Sequence, residues 1–148
     1  MTSQRPVSII MIEDDEGHAR LIEKNIRRAG ISNELTHFLD GGTALDYLFN
    51  HEHGPLHNGP ALVLLDLNLP DMSGIDILTR IKSDPHLRRT PVVILTTTDD
   101  QSEIQRCYDL GANVYVTKPV NYESFADAIR QLGLFLSVIQ VPEVDPHG

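Results

Sequence analysis

Ala61-Leu-Val-Leu-Leu-Asp66-Leu-Asn68-Leu-Pro70-Asp-Met-Ser-Gly74 decides how this chain folds. A short apolar run ends in a single carboxylate, and proline and glycine then break the chain. Uninterrupted apolar residues without polar alternation fit a strand buried on both faces, as in a parallel sheet covered by helices above and below. Burial of that kind leaves Asp66 at the strand's C-terminal end, the edge on which open α/β sheets hold their ligands. By itself, an Asp in this place is more often a turn opener than a chemical group.

Three further strand candidates change the weight of that carboxylate. Val7-Ser-Ile-Ile-Met-Ile12 runs into Glu13-Asp14-Asp15, Pro91-Val-Val-Ile-Leu95 into Thr96-Thr97-Thr98, and Val114-Tyr-Val-Thr117 into Lys118-Pro119. If the strands are parallel, acids, hydroxyls and one ammonium meet on a common edge. Clustered carboxylates repel one another unless a cation neutralises them. A cluster of oxygens without His or Cys suits a hard divalent ion, Mg2+ or Mn2+, rather than zinc.

Glu13-Asp14, Asp66, Thr96 and Lys118-Pro119, in this order and spacing, resemble the signature of the response-regulator receiver domain, the CheY-like phospho-acceptor module. The resemblance covers roughly Val7 to Leu136. Within that family the chain is most similar to single-domain regulators that serve phytochrome-type histidine kinases. The residues that carry this are Ile12-Glu13-Asp14-Asp15, the long stretch before Ala61, Leu67-Asn68-Leu69-Pro70, Leu95-Thr96-Thr97 and the apolar ending Leu134-Phe-Leu-Ser-Val-Ile-Gln-Val-Pro142.

The resemblance implies a flavodoxin-like (βα)5 fold, a five-stranded parallel sheet in a three-layer α/β/α sandwich. It implies Asp66 as phospho-acceptor, with Asp14, Asp66 and the Asn68 carbonyl holding Mg2+ and Glu13 acting through metal-bound water. Lys118 would pair with the phosphoryl oxygens, and Pro119 would follow a cis peptide. Thr96 and Tyr115 would form the switch, altering the surface of helix four, strand five and helix five. Asn68 and Thr98, two places after the acceptor and the switch threonine, would tune dephosphorylation. The expected partners are a sensor histidine kinase, a bacteriophytochrome, and either a phosphotransfer protein or a downstream protein target.

Composition agrees and sets limits. A chain of 148 residues is long enough for one domain with a proper core. Lys+Arg 12 against Asp+Glu 21 gives a net charge of −9, which disfavours nucleic acid as a direct partner. There is no membrane-length apolar stretch, and Met1-Thr-Ser-Gln-Arg-Pro6 lacks the apolar region of a secretion signal. One cysteine, Cys107, excludes an internal disulfide and fits a reducing cytoplasm. Its helical spacing from Ile104 suits core packing rather than thiol chemistry.

The coarse organisation is five strands alternating with five helices, a βαβ pattern with right-handed crossovers. Helix one is expected over Glu16 to Ala29, with Ala19, Ile22, Ile26 and Ala29 on its inner face. Strand two is expected at Glu34 to Phe38, helix two at Gly42 to Asn50 and helix three at Ile75 to Lys82. Asp99-Asp100 would cap helix four, which Gly111 closes. Helix five is expected from Tyr122 to Ile139, interrupted at Gly133. The receiver domain then spans residues 6–139 and a frayed tail residues 140–148. His51-Glu-His53-Gly-Pro-Leu-His57-Asn-Gly-Pro60 reads as a surface loop, because its Gly and Pro residues signal irregular backbone and no fourth ligand joins the three histidines. Helix five and its extension carry more apolar residues than one core-facing stripe can use. This predicts a homodimer with Leu134, Phe135 and Val138 as anchors.

Three other readings fall on particular residues. A haloacid-dehalogenase-type phosphatase wants a second Asp two positions after the nucleophile as general acid; here that residue is Asn68, which cannot transfer a proton. A receiver degenerated to a binding module should lack an acid, the acceptor or the lysine, and none is missing. A nucleotide-binding flavodoxin-like protein wants a Gly-rich loop after strand one, where Glu13-Asp14-Asp15-Glu16 would repel phosphate unless a metal intervened.

Overall fold

Ala61–Asp66 forms a strand in which every residue is buried, as its unbroken apolar run requires. It lies at the centre of one parallel sheet built from β1 (Ser8–Ile12), β2 (Leu35–Phe38), β3 (Ala61–Asp66), β4 (Val92–Thr96) and β5 (Val114–Thr117), in the order β2-β1-β3-β4-β5. The structure, a computed structural model, describes residues 7–50, 54, 60–97, 99–118, 123, 124 and 127. All four strand pairings are parallel, with Ile12 opposite Leu65, Asp66 opposite Leu95 and Thr96 opposite Thr117. The ends of β1, β3, β4 and β5 therefore share one edge, which brings Glu13, Asp66, Thr96 and Lys118 to it.

Among the described residues, four helices connect the strands: α1 (Glu16–Arg28), α2 (Gly41–Leu48), α3 (Gly74–Ser83) and α4 (Gln101–Asp109). Alternate strand residues divide the core into two layers. Ile9, Met11, Leu62, Leu64, Val93 and Leu95 pack with Ala19, Ile22 and Ile26 of α1. Ile10, Ile12, Val63, Leu65 and Ile94 pack with α2, α3 and Cys107 of α4. Ile77, Leu78 and Ile81 of α3 are fully buried, and each contributes about 1.5–3 kcal/mol by leaving water. Cys107 is buried in the same layer, a core residue as its spacing implies.

Side-chain caps set the helix starts. Asp15, Asp40, Ser73 and Asp100 accept hydrogen bonds from amides in the first turns of α1, α2, α3 and α4. Gly30 and Gly111 close α1 and α4 at φ 86° and 112°, a conformation open to glycine at little cost. Observed boundaries differ from the expected ones by a residue or two. α2 begins at Gly41 rather than Gly42 and ends at Leu48 rather than Asn50, and β2 loses Glu34. The expected helix five, Pro119, Thr98, the dimer anchors Leu134, Phe135 and Val138, and the histidines of the 51–60 loop lie outside the described residues, apart from helical backbone at Glu123, Ser124 and Asp127.

Candidate functional site

The carboxylates of Glu13, Asp14 and Asp66 converge at the C-terminal edge of β1 and β3, each offering an oxygen within 4.8 Å of the others. Glu13 is completely buried and Asp66 is 3% exposed, whereas Asp14 reaches solvent. Lys118 brings an ammonium, the one at this cluster among the described residues, from the end of β5. Its Nζ lies 2.6 Å from Glu13 Oε1 and 3.3 Å from Asp66 Oδ2, and its side chain is 6% exposed. Three acids facing one lysine leave an excess of negative charge, two of those acids being almost without water. Only a cation or protons can relieve it.

Each buried acid is held by backbone as well as by the lysine. Asp15 N–H donates to Glu13 Oε2 at 3.1 Å, and Asn68 N–H donates to Asp66 Oδ1 at 3.2 Å. Burial pushes the Asp66 carboxyl up to about 6, and the Glu13 charge pushes the same way; Lys118 and the Asn68 amide pull it down. A carboxyl so placed is poised near neutrality and gains most from a cation. The donor set, all oxygen and with two of the three acids buried, fits a hard divalent ion.

Thr96 ends β4 almost wholly buried, and its carbonyl accepts the Lys118 N–H at 2.7 Å, which ties the ends of β4 and β5 together. Tyr115, half-buried on β5, meets Tyr108 of α4 edge-to-face, with ring centroids 5.9 Å apart and planes at 76°. Asn68 is exposed on the turn after β3, in a bridge with Ser73. The structure thus brings Glu13, Asp14, Asp66, Asn68, Thr96 and Lys118 to one edge, with Tyr115 one layer away toward α4.

Three features of the site escaped the sequence reading. His37 of β2 donates from Nε2 to the Glu13 carbonyl at 2.7 Å, which fixes the proton on Nε2. His18 Nδ1 lies 4.0 Å from Glu13 Oε2 and 3.8 Å from Asp15 Oδ2, so an imidazole borders the acidic cluster. Gly74 admits no side chain: an added Cβ would sit 2.3 Å from the Asp66 carbonyl oxygen and 2.7 Å from Leu67 Cα. Only the glycine in Met-Ser-Gly74 hinted at so close an approach.

This geometry coincides with the comparison to known proteins. The response regulator receiver domain family matches residues 9–130. The chain belongs to the response-regulator receiver family. A receiver-domain crystal structure from Rhodospirillum rubrum is 70% identical, with a TM-score of 0.74 over 94% of this chain and 99% of that one. The bacteriophytochrome response regulator RtBRR is 36% identical, with a TM-score of 0.79 over 95% of this receiver and 85% of its own chain. Response regulator Rcp1 of Synechocystis is 34% identical over 143 residues, covering 95% of this receiver and 96% of its own length, and has been solved in a Mn2+-bound form. The receiver therefore groups with two-component response regulators, including those of phytochromes. No helix among its described residues is long and apolar enough to cross a membrane.

Proposed function

We propose that this receiver takes a phosphoryl group onto Asp66 from a phosphohistidine of a sensor histidine kinase, and that the kinase is a bacteriophytochrome. The observation that carries the reading is the meeting of Glu13, Asp14 and Asp66 within 4.8 Å, with Lys118 Nζ 3.3 Å from Asp66. An Asp66 carboxylate oxygen attacks phosphorus while the P–N bond to the imidazole breaks and its electron pair returns to the ring nitrogen, which then takes a proton. Such transfer needs position and charge neutralisation more than covalent assistance. Asp14, Asp66 and the Asn68 carbonyl would hold Mg2+, or Mn2+, with Glu13 acting through water. When bound, the ion neutralises charge between the carboxylates and the incoming phosphoryl oxygens. Lys118 leaves its place between Glu13 and Asp66 to pair with those oxygens.

Phosphate on Asp66 adds charge and acceptor oxygens, and the Thr96 hydroxyl donates to one of them. Tyr115 then turns into the space Thr96 leaves, and the face made by α4, β5 and the helix that follows changes shape. The signal leaves through that face by protein contact, to a phosphotransfer protein or a downstream target, and the receiver acts in the cytoplasm. The unit that does this is residues 6–139. Leu134, Phe135 and Val138 would anchor a homodimer on the same side. Support for the phytochrome partner comes from the likeness to RtBRR and Rcp1. The receiver catalyses only its own phosphorylation and dephosphorylation.

Acetyl phosphate with Mg2+ should add one phosphoryl group, seen as an intact-mass increase, and Asp66→Asn should remove it. Chelation should stop labelling. A wild-type chain that stays unmodified, or an Asn variant labelled equally well, refutes the assignment of Asp66. Phosphotransfer profiling against histidine kinases then tests the partner: preference for a kinase other than a bacteriophytochrome refutes that part alone.

A further inference from the structure

The turn that carries Asn68 is closed on itself and anchored from outside. Gly74 N–H donates to the Leu67 carbonyl at 2.9 Å, and Asn68 and Ser73 form an antiparallel bridge, so Leu67–Gly74 is one compact loop. At its tip, Asp71 reaches the start of α2. Its Oδ1 accepts the Gly41 N–H at 2.9 Å and its Oδ2 accepts the Gly42 N–H at 2.8 Å. Asp40 accepts the Thr43 N–H at 2.8 Å. The first three amides of α2, which the helix itself leaves unpaired, are thus satisfied by two carboxylates from different segments. Met72 packs against the joint: a Cβ on Gly41 would lie 2.5 Å from its Cγ and 2.6 Å from its Sδ, so a side chain there would have to displace Met72.

Asp71 is exposed and adds nothing to the core, and neither of its oxygens points at the acidic cluster. What it fixes is the distance between α2 and the loop, and Asn68 is three residues away on that loop. The Asn68 N–H meets Asp66 Oδ1 at 3.2 Å, so the position of the loop sets this contact. From this we infer that Asp71 is a positioning residue for the acceptor site, acting through the Leu67–Gly74 loop to hold Asn68 where the cation is bound. The inference rests on the receiver reading of Asp66 and its cation. Outer partners that orient ligands typically cost 10–100-fold in metal affinity when removed.

Titration calorimetry with Mn2+ on the full chain tests it, in wild type, Asp71→Asn, Asp71→Ala and Gly41→Ala. Asp71→Ala should weaken Mn2+ binding roughly tenfold, and Asp71→Asn, which keeps one acceptor oxygen, should weaken it less. Gly41→Ala, which displaces Met72 without touching Asp71, should reproduce the loss. In acetyl phosphate labelling, the half-saturating cation concentration should rise by the same factor, while the rate at saturating cation stays within about twofold. A merely structural Asp71 would lower the melting temperature and leave cation affinity unchanged, and that result overturns the inference. If Asp71→Ala does not fold, the near-isosteric Asp71→Asn decides in the same titration: Mn2+ affinity equal to wild type overturns the inference. Wild type that binds no Mn2+ overturns instead the cation reading on which this one rests.

Discussion

Replacing Asp66 by Asn should make the cation-free protein more stable at neutral pH, although it destroys the proposed acceptor. Burial and the adjacent Glu13 charge lift the Asp66 carboxyl from 3.8 to about 6. A raised acid is bound to its proton more tightly in the folded chain than in the unfolded one. Stability therefore falls as pH rises from about 4 to about 6, and the penalty is complete above that window. A rise of this size corresponds to a ceiling of about 3 kcal/mol. Sharing of the repulsion with Glu13 and the loss of the Lys118 contact reduce the net effect to about 1–2 kcal/mol. Lys118 is not orphaned by the change, because Glu13 Oε1 still faces it at 2.6 Å. For a domain of this size the gain appears as a melting temperature about 3–6 °C higher.

The assay is thermal denaturation by circular dichroism in chelator, from pH 4 to pH 8. The Asn and wild-type curves should nearly coincide at the acid end and separate through pH 6. Millimolar Mg2+ should then raise the wild-type melting temperature and leave Asp66→Asn little changed, closing or reversing the gap. An Asn variant less stable than wild type at pH 7.5 without cation, or a difference independent of pH, would show that Asp66 is not under electrostatic load.

Gly74→Ala should lower stability by on the order of 3 kcal/mol, because its Cβ would overlap the Asp66 carbonyl rather than a movable side chain; denaturant melts give the value, and a change below ~1 kcal/mol contradicts the close approach. The Gly41 and Gly42 amides hold the Asp71 carboxyl below its ordinary range, so the clasp is intact above pH 3.8 and loosens only as pH falls through that lowered value. Hydrogen exchange at those two amides should stay protected between pH 4 and pH 7, and early loss of protection refutes the contact. Neither Asn68 nor Thr98, the two residues that the receiver resemblance assigns to tuning dephosphorylation, is a strong base, so phosphate on Asp66 should persist for minutes or longer; loss within seconds without a kinase contradicts this. Phe135→Asp should convert a dimer to a monomer in sedimentation equilibrium, and a wild-type chain monomeric with and without phosphorylation removes the dimer proposal.

What was legible in the sequence is what depends on period and punctuation. Ala61–Leu65 reads as a doubly buried strand, and Ala19, Ile22 and Ile26 share one helical face, so the alternation of strands and helices was legible, and a shared edge followed if the strands ran parallel. Glu13, Asp66, Thr96 and Lys118 were legible as neighbours because each stands at or just past a strand end, where the polarity of the run changes abruptly. Contacts between segments remote in sequence left no such trace. His37 reaches the Glu13 carbonyl across the β1–β2 pair, from a position that reads simply as a strand residue. Asp71 looks like ordinary turn chemistry beside Pro70, and Gly41-Gly42 like an ordinary helix start. Only when α2 lies beside the loop that follows β3 do the Gly41 and Gly42 amides meet the Asp71 carboxylate. Periodicity encodes which face of an element is buried, but not which neighbour it meets. The residues that hold the acceptor loop in place are of the second kind, and a single carboxylate there reads the same whether it orients a site or merely caps a helix.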